Sequence, residues 1–208
     1  MKVAVQDANV LIDLELAGLF EAWFQTGIEA HTTSFIRAEL EKGGHRLALS
    51  YFTSGQVREH GLTFEELAAV SLLEQEVASK AKFNDCSVLF LAMKLGAMLI
   101  SGDLALRKAG QQRRVEVRGT LWIFDELVAR KVISSGVAAA RLEYLRSQDR
   151  YFPEAECQTW LKKWRVRAEY IDPALKAAGW GVVEAAAFCA NTRSLSGGSK
   201  GLAGAALR

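Results

Sequence analysis

Proline and cysteine are both scarce in this sequence, 2 and 3 among 208 residues. Cys86, Cys157 and Cys189 are odd in number and far apart, so they build neither a disulfide framework nor a paired-thiolate metal site. They read as buried or idle thiols of a reducing compartment. The three histidines, His31, His45 and His60, show no HExxH or other paired ligand spacing, and His31 is expected to face solvent or cap an element. No charge-free apolar run approaches the roughly 18 residues of a membrane span. Met1-Lys2 leads straight into a strand, without the charged and apolar regions of a secretory signal. The expectation is a cytoplasmic protein with no membrane partner. With half its residues apolar and so little proline, the chain should bury a substantial core. Its length suits one medium domain with an appendage, or two small domains.

The net charge of +2 conceals an asymmetry. Residues 1–104 carry 8 Lys+Arg against 14 Asp+Glu, whereas residues 105–167 carry 14 against 7. A basic half of this kind can contact a polyanion; ordinary solvated helix faces account for it equally well.

The chain opens on a short β-branched run, Val3-Ala4-Val5, that ends on Asp7. An apolar series at helical spacing follows (Leu11, Leu14, Leu19, Phe20, Trp23, Phe24) and stops at Gly27. Ile28 to Thr32 reads as a second strand, and Ser34 as the cap of a helix through Ile36 and Leu40 that stops at Gly43-Gly44. On that helix Glu39 borders the buried face and Glu41 faces water. A short helix through Leu47 and Leu49 and an edge strand near Gln56-Val57 come next. Thr63 and Glu66 form a capping box before an amphipathic helix. Asn84-Asp85 begins another helix, closed by Gly96. The apolar run from Ala97 to Ser101 reads as a buried strand, followed by Gly102-Asp103 and a further helix. Val115-Glu116-Val117 is a last strand, and Thr120 the cap of a helix through Val128. Two more amphipathic helices pass through Leu142 and Leu145 and through Trp160, Leu161 and Trp164. Trp122, Trp160 and Trp164 read as core or groove residues, and Asp125 as helix surface. Strand–helix alternation with short connections predicts a three-layer α/β/α fold around a mainly parallel sheet, with C-terminal helices from about 120 at one side.

Four acids, Asp7, Glu39, Asp85 and Asp103, recur at junctions between elements. Acids at the carboxyl ends of buried strands lie where open α/β sheets place ligands. Carboxylates gathered without a cation repel one another and take up protons. Mg²⁺ and Mn²⁺ prefer all-oxygen ligand sets and usually keep several waters, and such a cation polarises a phosphodiester and activates water. Asn9 can bond a carboxylate or phosphate, and Ser101 can orient Asp103.

Three stretches, VAVQDANVLIDL, TTSFIRAELE and FNDCSVLFLAMKLGAMLISGDLALRKAG, carry these acids in order. In them the sequence resembles the PIN-domain family of metal-dependent ribonucleases, especially the small toxins of bacterial toxin–antitoxin pairs. The resemblance covers about residues 1–165. It implies Asp7, Asp85 and Asp103 as metal ligands and Glu39 as a ligand directly or through water. All four would be catalytic, with Mg²⁺ or Mn²⁺ as cofactor. Ser101 stands where the family more often has Thr, and Asn9 matches a frequent polar position. Arg107, Lys108, Arg113 and Arg114 look like a place to receive RNA backbone. The resemblance further implies an RNA substrate and a cognate antitoxin; a homodimer is a separate expectation.

Two rivals are weaker. A haloacid-dehalogenase-type phosphatase needs a second acid two residues after the first, and Asn9 stands there. A receiver-like switch needs a late strand-end lysine, which is missing. A non-catalytic PIN-like interaction module is the main alternative, although all four family acids are present. From Arg167 the text changes. Residues 167–184 resemble the opening segment of type I restriction-enzyme motor subunits, and 185–208 are Ala-, Gly- and Ser-rich. Residues 166–208 are therefore expected to be an appended, mostly disordered tail behind a nuclease domain of 1–165.

Overall fold

A computed structural model describes residues 2–77, 81–148, 150–171 and 173. Five short strands form one sheet: β1 (Val3–Gln6), β2 (Glu29–Thr33), β3 (Val57–His60), β4 (Met98–Ile100) and β5 (Val117–Arg118). Their order is β3-β2-β1-β4-β5 and every pair is parallel. β1 is central, with Val5 in register with His31 of β2 and Leu99 of β4. From β1 the chain builds outward through β2 to β3, then crosses back to lay β4 on the other side of β1. The strand order therefore reverses between β1 and β4. The carboxyl ends of two strands diverge at such a point and open a crevice for ligands.

Helices α1 (Ala8–Ala17) and α2 (Phe20–Phe24) follow β1. The single helix expected from the apolar spacing is broken at Gly18, which takes φ 63°. Its N–H bonds to the Glu15 carbonyl and the Leu19 N–H to the Leu14 carbonyl, a left-handed closure that suits a residue without Cβ. Between β2 and β3 lie α3 (Ser34–Gly43) and α4 (Arg46–Thr53), and between β3 and β4 lie α5 (Phe64–Val77) and α6 (Phe83–Leu95). The predicted capping box before α5 is present, with Thr63 N–H on Glu66 at 3.0 Å and Glu66 N–H on Thr63 Oγ1 at 3.3 Å. α7 (Leu104–Gln112) joins β4 to β5.

Two expected caps move by one residue. Thr33, not Ser34, precedes α3, and its hydroxyl pairs with Ser87 Oγ at 2.9 Å. Gly119, not Thr120, precedes α8 (Thr120–Ala129), and the Thr120 hydroxyl donates to Asp13 Oδ2 at 3.2 Å. The hydroxyls of Thr33 and Thr120 each take a buried tertiary partner instead of the helix backbone.

The last helices, α9 (Ser135–Ser147) and α10 (Glu154–Val166), form the expected C-terminal side layer, with α9 on α1 and α8 on α2. Trp164 is fully buried and stacks on Phe124 with centroids 6.0 Å apart. Asp125, expected on the surface, instead accepts from Lys163 Nζ at 2.8 Å and Trp164 Nε1 at 3.3 Å, fastening α10 to α8. A π-helical turn, Arg167–Ile171, continues α10 past the expected start of the tail and touches α9. Of the tail expected over 166–208, residues 172 and 174–208 lie outside the described residues. Among the described residues no helix is long and apolar enough to cross a membrane.

One core residue is chemically out of place. Gln6 is fully buried in the central strand, and its side-chain amide has no hydrogen-bond partner among the described residues. An unpartnered buried amide costs about 1–3 kcal/mol. Gln6→Met, close in volume and without that cost, is expected to raise unfolding stability by about 1 kcal/mol. A urea titration checks this, and a lower midpoint would mean the amide has a partner such as buried water.

Candidate functional site

Asp7 immediately follows β1 and Asp103 comes three residues after the end of β4, and β1 pairs with β4, so the reversal of strand order brings the two ends together. Each is the residue before a helix and uses one carboxylate oxygen to close it. Val10 N–H donates to Asp7 Oδ1 at 3.0 Å, and Leu106 N–H to Asp103 Oδ1 at 2.7 Å. Ser101 bridges them: its hydroxyl donates to Asp7 Oδ2 and accepts from the Asp103 N–H at 3.0 Å. The serine expected to orient Asp103 thus also holds the Asp7 carboxylate. Asp85 is the third residue of α6 and accepts from the Lys82 N–H at 2.9 Å. Glu39 reaches over from α3, where Asn84 Nδ2 donates to its Oε2 at 3.0 Å. Glu39, Asp85, Asp103 and Asn9 line one cavity of about 430 Å³; Asp7, 2% exposed, is not among its lining and reaches the group through Ser101.

The acids affect one another. Burial pushes the Asp7 carboxyl up to about 6, against the bonds from Ser101 and Val10, with the charges of Asp85 and Asp13 adding to the rise. Asp85 is also raised, first by burial and then by Asp103 and Glu39, while the Lys82 N–H and ammonium pull it down. In both acids burial is the larger cause, and the neighbouring carboxylates add to it.

The donor set is oxygen-only and suits a hard divalent cation. Asp7, Asp85 and Asp103 supply carboxylates, with Glu39 at the mouth. Among the described residues no three His, Cys, Asp or Glu side chains yet stand at metal-holding spacing. One oxygen of each aspartate accepts from a backbone N–H at a helix start.

Other expected residues are divided by the fold. Asn9 is at the site, but its Oδ1 accepts from Arg150 Nη2 at 3.0 Å. Arg107, one turn into α7, lines a neighbouring cavity with Asp103; Lys108 is exposed on the same helix. Arg113 and Arg114 lie past the far end of α7, and Arg113 is paired with Glu76 at 2.7 Å. Much of the basic half is similarly paired, including Arg118–Glu116, Arg130–Glu126 and Arg146–Glu154. Sequence reading missed Lys42 and Lys82, both lining the acid cavity; only the three-residue spacing from Lys82 to Asp85 hinted at either. It also missed Asp13, which is 3% exposed and accepts from Arg150 Nε.

His31 corrects its expectation of a solvent-facing or capping role. It is 6% exposed, with Nε2 on Glu29 at 3.1 Å and Nδ1 on His60 Nε2 at 3.0 Å. Burial, then the charges of His31, Lys94 and Arg58, lowers the pKa of His60. These histidines serve the β2–β3 edge.

A family model described as PIN domain matches residues 3–166, most of the chain. No curated protein matches it in sequence. PIN domains are generally nucleases, and they typically use divalent metal ions. The all-parallel sheet, the flanking helices and the acids at the β1/β4 crevice agree with that match, and the chain belongs to the PIN-domain family.

Proposed function

We propose that the protein is a metal-dependent endoribonuclease that hydrolyses RNA phosphodiesters at the acid cavity. The observation that supports this most is the juxtaposition of Asp7 and Asp103 at the β1/β4 crevice, bridged by Ser101, with Asp85 lining the same cavity as Asp103. Asp7, Asp85 and Asp103 would hold Mg²⁺ or Mn²⁺, with Glu39 holding it directly or through water. When bound, the cation supplies a polarised phosphodiester and an activated water. The chain's own residues do the positioning. Ser101 fixes the Asp7 carboxylate, Asn84 fixes Glu39, and Lys42 and Lys82 at the rim favour an approaching phosphate. A toxin role with a cognate antitoxin covering this cavity belongs to the same reading, as does a homodimer.

Purified protein should cleave single-stranded RNA with Mg²⁺ or Mn²⁺ and stop in EDTA. Ser101→Ala frees the Asp7 carboxylate from its hydroxyl donor and should lower manganese affinity or turnover about 10–100-fold, the usual effect of losing an outer support. Wild-type protein inert towards RNA with either ion would overturn the reading. One observation favours a second reading, a PIN-like module that binds without cutting: no three acids stand at metal-holding spacing among the described residues. Calorimetric titration with manganese separates the two, since a module that has lost its chemistry gives no heat.

A further inference from the structure

A second cavity, of about 310 Å³, opens beside the first, and Asn9 and Asp103 line both. Its remaining walls include Arg107 of α7 and Arg150, Tyr151 and Glu156 from the C-terminal layer. We infer that this cavity is a nucleoside subsite, holding the nucleotide next to the scissile phosphodiester with Arg107 on a phosphate and Tyr151 on a base. The inference rests on the nuclease reading of the acid cavity.

Three features carry it. The first is charge. Arg107 has no ion pair and no side-chain hydrogen bond among the described residues, a state it shares in the basic half with Arg114 and Arg141, whereas Arg113, Arg118, Arg130, Arg146 and Arg150 are paired; of the three, Arg107 lines this cavity. Its guanidinium lies over Gly119, where a Cβ would come within 3.2 Å of Nη1. Glycine leaves that space open. An unpaired guanidinium beside a carboxylate pocket complements a phosphate that spans the two cavities. Arg150, occupied by Asp13 and Asn9, frames the wall instead.

The second is the aromatic ring. Tyr151 is 87% exposed, so packing does not account for it, and its faces are free for stacking, which tolerates any base. The third is size. The volume is at the lower end of the roughly 300–1,000 Å³ of small-ligand pockets, which admits one nucleoside and not a duplex. Glu156 repels phosphate and accepts from a sugar hydroxyl or base amine, so the phosphate belongs on the Arg107 side.

The test is fluorescence anisotropy of a labelled single-stranded hexaribonucleotide on the full chain in Ca²⁺, with the oligonucleotide checked intact afterwards. Tyr151→Ala should weaken binding about tenfold, and Tyr151→Phe, which keeps the ring, should recover most of that loss. Arg107→Gln should weaken it by a similar factor and reduce the salt slope by about one phosphate contact. Tyr144→Ala, an exposed ring on α9, should change nothing. Wild-type affinity in both Tyr151→Ala and Arg107→Gln overturns the subsite, as does wild-type protein that does not bind. Displacement by a polyglutamate peptide with no effect of Tyr151→Ala would assign the cavity to an acidic protein segment and also overturn it. Variant-sensitive binding in a wild type that never cleaves RNA would leave the subsite standing and remove the nuclease reading alone.

Discussion

Asp7→Asn is expected to cut cleavage on the order of a thousandfold and, without metal, to make the protein more stable. The two effects share one cause. Asp7 is buried, and its carboxyl is lifted from 3.8 to about 6 by burial, against the bonds from Ser101 and Val10. Ionising it in the fold therefore costs about 3 kcal/mol relative to the unfolded chain. The sign follows from proton binding. Between 3.8 and about 6 the folded state holds the proton and the unfolded state has lost it, so stability falls as pH rises through that window. The cost is complete above it and absent below it. Asparagine carries no charge, its oxygen can accept from the Val10 N–H, and its NH₂ can donate to Ser101. In EDTA the variant should exceed wild type by about 2–3 kcal/mol at pH 8 and roughly half that at pH 5, with little difference near pH 4. Guanidinium titrations at the three pH values check this; a variant less stable at pH 8 would show that the carboxylate's bonds outweigh its desolvation. Manganese should reverse the order, because wild type gains about 2.7 kcal/mol at a hundredfold excess over Kd while the variant has lost a ligand. Activity should fall on the order of a thousandfold, more than for an outer support.

Asp7 and Asp103 could be placed from text alone because both follow short apolar strands and both open helices, and local patterning encodes both facts. The alternation of strands and helices gave the parallel sheet for the same reason. What escaped depended on distant partners. Thr120 looks like an ordinary helix cap until Asp13 is brought to it, and Thr33 is passed over for Ser34 until Ser87 is set against its hydroxyl. His31 could be read as buried only once β2 was paired with β3, since its companion His60 comes from the neighbouring strand. The basic residues after Asp103 appear as one cluster in sequence, but α7 separates them by its length, leaving Arg107 at the site and Arg113 beside Glu76. Arg150 is the extreme case, 137 residues from the aspartate it holds.

Arg150→Ala is accordingly expected to be the most destabilising single change near the site. Arg150 Nε donates to Asp13 Oδ1 at 2.6 Å, and its Nη2 reaches Asn9 Oδ1 at 3.0 Å. It joins the segment before α10 to the first helix of the chain. Asp13 is 3% exposed, and burial raises its carboxyl even with Arg150 and Thr120 pulling it down. The pair is thus not a net source of stability. Removing one member is another matter, because it strands a buried carboxylate. Breaking a buried pair costs about 3–5 kcal/mol, and the Arg150 side chain, 24% exposed, puts the expected loss near the lower end of that range. Since the Asp13 carboxyl is already raised, losing the guanidinium raises it further. The variant's deficit should therefore be largest above that shifted value and shrink on acidification as the acid takes up its proton. Asp13→Asn in the same chain should restore much of the loss at pH 8, with the amide oxygen still available to the Thr120 hydroxyl. A double-mutant cycle by chemical denaturation measures this coupling. If the two substitutions simply add, Arg150 is held for Asn9 and the cavity wall, and Asp13 is satisfied without it.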